Sequence, residues 1–233
     1  MRLIVLGTGT EVGKTAVSCE LARGLSAHGH PVLAVKPIET GFAPTDDGRP
    51  AIGSDAAQLE AAVFHVQHPR PHPLYALTPG ISPHLAAERA DQSIDLASIK
   101  SWLEGAERAA TDQPALITLI ETAGGACSPL SLTTRNYDLA RVLQADRCLL
   151  VASDRLGILH DVAATLTALS AQACTVDVLV VAPPAVSDAS TGSNAEQLQR
   201  LHPELTVIAA APRTTGSHGP SELVRWVAAQ PRR

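Results

Sequence analysis

Gly7-Thr8-Gly9-Thr10-Glu11-Val12-Gly13-Lys14-Thr15 stands between an apolar run, Arg2 to Leu6, and a helical stretch, Thr15 to Ala27. The run is continuously apolar after Arg2, as in a strand buried on both faces, whereas Val17, Leu21, Ala22 and Leu25 recur on one helical face. A glycine-rich turn from strand to helix aims backbone N–H groups and the positive end of the helix dipole at one point, an arrangement that suits a polyphosphate. Lys14 supplies a cation for β and γ oxygens, and Thr15 a hydroxyl for Mg²⁺. The stretch therefore reads as a phosphate-binding loop. Its spacing is unusual: the position five before Gly13 is Thr8, so Gly7 leads and the loop carries one extra residue.

Working outward, the eighteen basic residues divide into fifteen arginines and three lysines, Lys14, Lys36 and Lys100. A compact ammonium is not interchangeable with a planar guanidinium, so lysines in such a chain are worth locating. Lys36 ends a second apolar run, His30 to Val35, and Pro37 after it forbids a helical continuation. That places Lys36 at the carboxyl edge of the sheet, where open α/β folds bind ligands. Asp55 opens a helical stretch and Glu121 ends the run Ile117 to Ile120. Both can offer carboxylates to Mg²⁺ beside Thr15. Asp55 reads equally well as a helix N-cap. Glu121 is followed by Ala123-Gly124-Gly125, a backbone suited to close ligand approach.

The rest of the chain alternates short apolar runs with helical stretches. This is the pattern of an α/β fold, a mainly parallel β-sheet of about seven strands with helices on both faces. The expected strands are 2–6, 30–35, 116–121, 147–152, 176–182 and 206–210. The expected helices are 15–27, 55–64, 94–110, 137–144, 160–171, 195–201 and 221–229. Glu39 to Gly53 reads as a loop. Val66 to Pro83 excludes a regular helix because its prolines remove donors and restrict their neighbours. Without a repeat or a linker, residues 1–233 read as a single domain. His65, His68 and His72, interleaved with prolines, read as solvated imidazoles, and Asp46-Asp47 before Gly48 reads as a turn. The four widely spaced cysteines, Cys19, Cys127, Cys148 and Cys174, read as buried free thiols.

Charge and hydropathy narrow the partners. A net charge of -5 with no Lys/Arg-rich block argues against nucleic acid and anionic membrane. No apolar run approaches the roughly 20 residues a membrane span needs, and the N-terminus lacks a signal-peptide plan, so a cytoplasmic protein is expected.

Six elements carry a resemblance to a known family. They are the lengthened loop, Lys36-Pro37-x-x-Thr40-Gly41, Ser54-Asp55-Ala56, Ser82-Pro83-His84-Leu85-Ala86-Ala87, Glu121-x-Ala123-Gly124-Gly125 and Leu156-Gly157-x-x-His160. Their order and separations, from residue 3 to about 212, resemble those of dethiobiotin synthetases. The resemblance implies a P-loop NTPase-like fold and a homodimer. The implied activity closes the ureido ring of dethiobiotin from 7,8-diaminononanoate and CO₂, with Mg²⁺ and ATP or another nucleoside triphosphate. It further implies Glu11, Val12, Gly13, Lys14, Thr15 and Ala16 around the phosphates, with Asp55, Glu121 and Gly124 beside the nucleotide. Thr15, Asp55 and Glu121 are its implied metal ligands, and Lys36 and Lys14 its catalytic lysines. Thr10, Lys36, Thr40 and Ser82 would border the diamine or its carbamate, and Leu156 to His160 would reach the substrate across the dimer.

This chain departs from the family pattern at three places. Gly9 stands where many members have Asp, and Thr122 where a glycine commonly follows the metal-binding Glu. Pro183-Pro184 stands where many have Asn, so the base would be met by Pro183 and a segment near Pro212. The rival reading, a partition or septum-site ATPase acting as a nucleotide-switched binding protein, would usually place an additional lysine early in the phosphate loop. None lies between Gly7 and Gly13.

Overall fold

The computed structural model describes residues 1–41, 53–63, 72–110, 115–210 and 221–231. Strand β1 (Arg2–Gly7) runs through the middle of the main sheet. Leu3 and Val5 point to one face and Ile4 and Leu6 to the other, and all four are fully buried. Period-two alternation of apolar residues onto two covered faces accounts for the continuous apolar run.

The remaining strands of this sheet are β2 (Val32–Val35), β5 (Ile117–Glu121), β6 (Arg147–Ser153), β7 (Val178–Ala182) and β8 (Thr206–Ala209). Their order is β2-β5-β1-β6-β7-β8, with every pairing parallel. The main sheet thus has six strands, one for each of the six expected ranges and close to the expected count of about seven. Two further strands, β3 (Ile38–Thr40) and β4 (Tyr75–Leu77), pair with each other in a separate parallel ribbon. Glu39, expected to open a loop, lies inside β3. A three-residue strand is too short to show alternation, and its partner comes from far along the chain.

One face of the sheet is covered by α1 (Lys14–Ala27), α2 (Asp55–Ala61) and α8 (Glu222–Ala228). Val17, Leu21, Leu25, Leu59 and Val224 pack there against Leu3, Val5 and Val180. Helices α4 (Leu96–Ala110), α5 (Asn136–Val142), α6 (Ile158–Ala171) and α7 (Asn194–Leu201) cover the other face, with Leu103, Leu139, Val162 and Leu198 against Ile4, Leu6 and Val181. The short α3 (Pro83–Arg89) packs on the β3–β4 ribbon. Helix α4 starts two residues later than expected because Asp95 accepts the Ala97 and Ser98 amides at 3.3 and 2.8 Å and so ends the extended segment.

From β1 the chain crosses to β2 on one side, and β6 later pairs with β1 on the other. The direction of winding reverses at β1, so a crevice opens beyond its carboxyl end. The thiols are free as expected, with Cys19 and Cys148 buried, but Cys127 is exposed. It lies in the turn after Gly124-Gly125, outside the helices that seal the sheet. Among the described residues no helix is long and apolar enough to cross a membrane. His72 is exposed, while His65, His68 and Asp46-Asp47 lie outside the described residues.

Candidate functional site

The loop after β1 is held in an unusual backbone. Glu11 and Gly13 adopt φ of 58° and 96°, and a Cβ on Gly13 would come within 2.9 Å of the Ala182 Cβ at the end of β7. Both the left-handed conformation and the contact with β7 require glycine there. Gly125, on the loop after β5, approaches the Gly9 Cα so closely that an added Cβ would lie 3.2 Å from it. Helix α1 begins at Lys14 with no side-chain cap and no acidic residue in its first turn. Its first amides are left for an anion, as the sequence pattern anticipates.

Three further side chains, those of Lys36, Asp55 and Glu121, converge on this loop. The Thr15 hydroxyl donates to Glu121 Oε1 at 2.8 Å, and Lys36 Nζ donates to the same oxygen at 2.9 Å. Lys36 also donates to Asp55 Oδ2, so one ammonium spans two carboxylates. Lys14 Nζ folds back onto the Gly9 carbonyl at 3.2 Å. Glu121 is fully buried, yet its Oε2 has no hydrogen-bond partner among the described residues.

Electrostatics separate the two lysines. Burial depresses Lys14 to a pKa of about 8, an effect that Lys36 reinforces and Glu121 and Asp55 oppose. Burial acts on Lys36 in the same direction, but there the Glu121 and Asp55 carboxylates outweigh it and raise its pKa well above the ordinary lysine value. Lys36 is therefore a permanent cation.

A cavity of about 430 Å³ opens over these groups. It is lined by Thr10, Glu11, Gly13, Lys14, Thr15, Ala16, Lys36, Thr40, Asp55, Ala123 and Gly124. Most of the expected site residues are thus brought together, with Glu121 forming the floor beneath Thr15 and Lys36. Val12 does not line the cavity; its side chain is apolar and turns into the core beside α1. Ser82 does not line it either, and is the N-cap of α3 with its hydroxyl 2.9 Å from His84 Nδ1. Pro183 follows Ala182 and is exposed, and Pro212 lies outside the described residues.

Three contributors have no role assigned from the sequence. Ser54, not Asp55, caps α2, accepting the Ala57 amide at 3.2 Å. Glu39 accepts the amides of Asp55 and Ala56 at 2.7 and 3.1 Å. Asn136 Nδ2 donates to the carbonyls of Ala123 and Gly125 at 2.5 and 2.8 Å, pinning the loop that ends in Gly125. A Ser three residues before a helical amide was a legible signal for the first. For Glu39 and Asn136 nothing local marks the role, because each partner lies on another element.

Residues 1–221 match the family model described as an AAA domain. The ATP-dependent dethiobiotin synthetase BioD of Mycobacterium sp. (strain KMS) is 35% identical over 231 residues, 96% of this chain and 92% of that protein. The protein of the same name from Caulobacter sp. (strain K31) is 37% identical over 184 residues, 77% of this chain and 74% of its own. The chain belongs to the ATP-dependent dethiobiotin synthetase family.

One of its departures from the usual dethiobiotin synthetase pattern has a structural account. Thr122 keeps its amide and hydroxyl on the Val5 carbonyl, at 3.1 and 2.8 Å, so the larger residue is absorbed by β1. At Gly9 an added Cβ would meet only Val12 Cγ1, at 3.7 Å, so nothing in the packing explains the loss of the usual Asp. Among solved structures, the MinC:MinD cell division protein complex of Aquifex aeolicus aligns with a TM-score of 0.49 at 11% identity, over 88% of this chain and 78% of that one.

Proposed function

We propose that this protein is a ligase that closes the ureido ring of dethiobiotin from 7,8-diaminononanoate and CO₂ at the expense of a nucleoside triphosphate, in biotin biosynthesis. The observation that carries the reading is the convergence of Lys14, Thr15, Lys36 and Asp55 on one cavity over the buried Glu121, in a chain of this family. A nucleotide-switched ATPase has no evident use for an ammonium as strongly held as that of Lys36.

In this reading the main-chain amides from Glu11 to Ala16 and the Lys14 ammonium hold the triphosphate, with Gly124 beside it. One amine of the diamine adds to CO₂, forming a carbamate and releasing a proton. A carbamate oxygen then attacks the γ-phosphorus and the nucleoside diphosphate leaves. The second amine attacks the carbonyl carbon of the mixed anhydride, phosphate departs and the cyclic urea closes. Lys36, at the cavity wall beside Thr40, stabilises negative charge on the carbamate and on the transferring phosphoryl group. It does not take the released proton, because its two carboxylates keep it fully protonated. Thr10 and Thr40 border the diamine.

The donor set suits Mg²⁺. Thr15, Asp55 and Glu121 offer hard oxygens, and Glu121 Oε2, buried with no partner among the described residues, is an acceptor suited to a cation. Among the described residues no group of three or more His, Cys, Asp and Glu could hold a metal by itself, so phosphate oxygens and water would complete the shell, as Mg²⁺ prefers. The ion would supply charge neutralisation on the triphosphate. The proposal extends to a homodimer in which Leu156 to His160 of one protomer borders the diamine site of the other; the 77% exposure of Leu156 supports it.

The test is incubation of purified protein with 7,8-diaminononanoate, bicarbonate, Mg²⁺ and ATP. Dethiobiotin should form together with ADP. Nucleotide hydrolysis without the ring product would overturn the reading in favour of the switch ATPase. Sedimentation of the purified protein tests the dimer.

A further inference from the structure

Glu39 is the second residue of β3, a three-residue strand in which neighbouring side chains point to opposite sides. Ile38 is 2% exposed and enters the core with Leu77. Glu39, pointing the other way, is 5% exposed, an unusual burial for a carboxylate that has no ion pair of its own within the described residues. It is satisfied by main chain: one oxygen accepts the Asp55 amide at 2.7 Å and the other the Ala56 amide at 3.1 Å. These are two of the orphan donors at the start of α2, and the next, on Ala57, goes to Ser54.

Helix α2 has only seven residues, too few to hold its first turn without outside help. Its first residue is Asp55, whose carboxylate meets Lys36. Lys36 and Glu39, three residues apart on one segment, therefore grip a single residue twice, Lys36 by its side chain and Glu39 by its backbone. Asp55 is the least buried member of the ion cluster, its side chain 36% exposed against 6% for Lys36 and 0% for Glu121. Of the three it has most need of a fixed backbone.

We propose that Glu39 is the positioning residue for Asp55, fixing the start of α2 so that the Asp55 carboxylate faces Lys36 and the metal-ion position. This deepens the proposed function and rests on its assignment of Asp55 as a metal ligand. Glu39 does not line the cavity and both its oxygens are taken by amides of α2, so its action on the site runs through Asp55. Groups that orient metal ligands typically account for about 10- to 100-fold in metal affinity, and the effect expected here lies at the lower end.

The experiment is a double-mutant cycle of Glu39→Ala and Asp55→Ala read in ADP binding. The readout is the ratio of ADP affinity with Mg²⁺ to ADP affinity in EDTA. Glu39→Ala should lower that ratio about tenfold while leaving ADP affinity in EDTA within about twofold, and should change nothing further when Asp55 is already Ala. Glu39→Gln, which keeps one acceptor, should fall between and serves where the alanine variant does not fold. In amide exchange of the metal-free protein, Asp55 and Ala56 should lose protection in the glutamine variant. An unchanged ratio, an equal loss in the Asp55→Ala background, or an equal loss in EDTA would each overturn the proposal, as would a wild-type ratio of one. Failure to form dethiobiotin would overturn the proposed function instead, and leaves this cycle readable.

Discussion

Lys36 and Glu121, 85 residues apart in sequence, form an ion pair of 2.9 Å in which the carboxylate is fully buried and its second oxygen has no partner among the described residues. The pair joins the end of β5 to the residue that follows β2, its neighbour in the sheet. Such a pair is costly to desolvate and gains stability only through additional hydrogen bonds, which here come from Thr15 and Asp55. The arrangement makes chemical sense as a site prepared for a polyanion and a cation.

Lys36→Arg keeps the charge and should still lower turnover by about 10² or more, because a planar fork cannot place a point charge between two carboxylates and a phosphoryl group. Nucleotide affinity should change little, since the loop amides and Lys14 are untouched. Steady-state kinetics beside ADP titration checks both halves. Wild-type turnover would remove Lys36 from the mechanism.

Glu121→Gln preserves shape and both contacts of Oε1 while deleting the negative charge. It should raise the Mg²⁺ concentration for half-maximal activity far more than it shifts the thermal unfolding midpoint. If Mg²⁺ dependence is unchanged, the metal does not sit on Glu121.

The Lys14 ammonium, held to a pKa of about 8 chiefly by burial, makes nucleotide binding depend on pH. A bound triphosphate raises that pKa, so binding takes up close to one proton at about pH 9 and almost none at about pH 7. Affinity should therefore fall as pH rises above 8. Stability of the free protein moves the other way. The folded value lies below the ordinary 10.5, so between about 8 and 10.5 the unfolded chain binds more protons and this group's burial penalty is relieved as pH rises. Calorimetry in buffers of different ionisation enthalpy measures the proton uptake. Lys14→Met should abolish it.

Much of this is written locally in the chain. The order of strands and helices follows apolar periodicity, and the loop from Gly7 to Thr15 carries its own signature. Lys36, Asp55 and Glu121 are legible because each sits where a strand ends or a helix begins. What escapes depends on contacts between distant segments. The β3–β4 ribbon is three residues long, and the partner of Glu39 is the backbone of another element, which carries no residue-type signal. Asn136 escapes similarly, since its partners are two carbonyls. Ser82 was expected in the site on family pattern alone, and its hydroxyl is engaged by His84 on its own helix.

The last prediction concerns the base. A pocket that reads adenine needs donors and acceptors matched to its edge, and it rejects other bases because those groups are then left unpaired. The chain after β7 continues with Pro183, exposed, and Pro184, half-buried, neither with a side-chain amide or an N–H to offer. The α1 amides, Lys14, Thr15 and the carboxylates are gathered around one cavity, the triphosphate end of the proposed site. Binding energy should therefore come mostly from the part common to every nucleotide. CTP and GTP should support ring closure within about tenfold of ATP, less than about 1.4 kcal/mol of discrimination. Competition kinetics with mixed triphosphates measures this directly. A preference for ATP beyond about a hundredfold, some 2.7 kcal/mol, would show that main-chain groups read the base and that the two prolines shape its pocket.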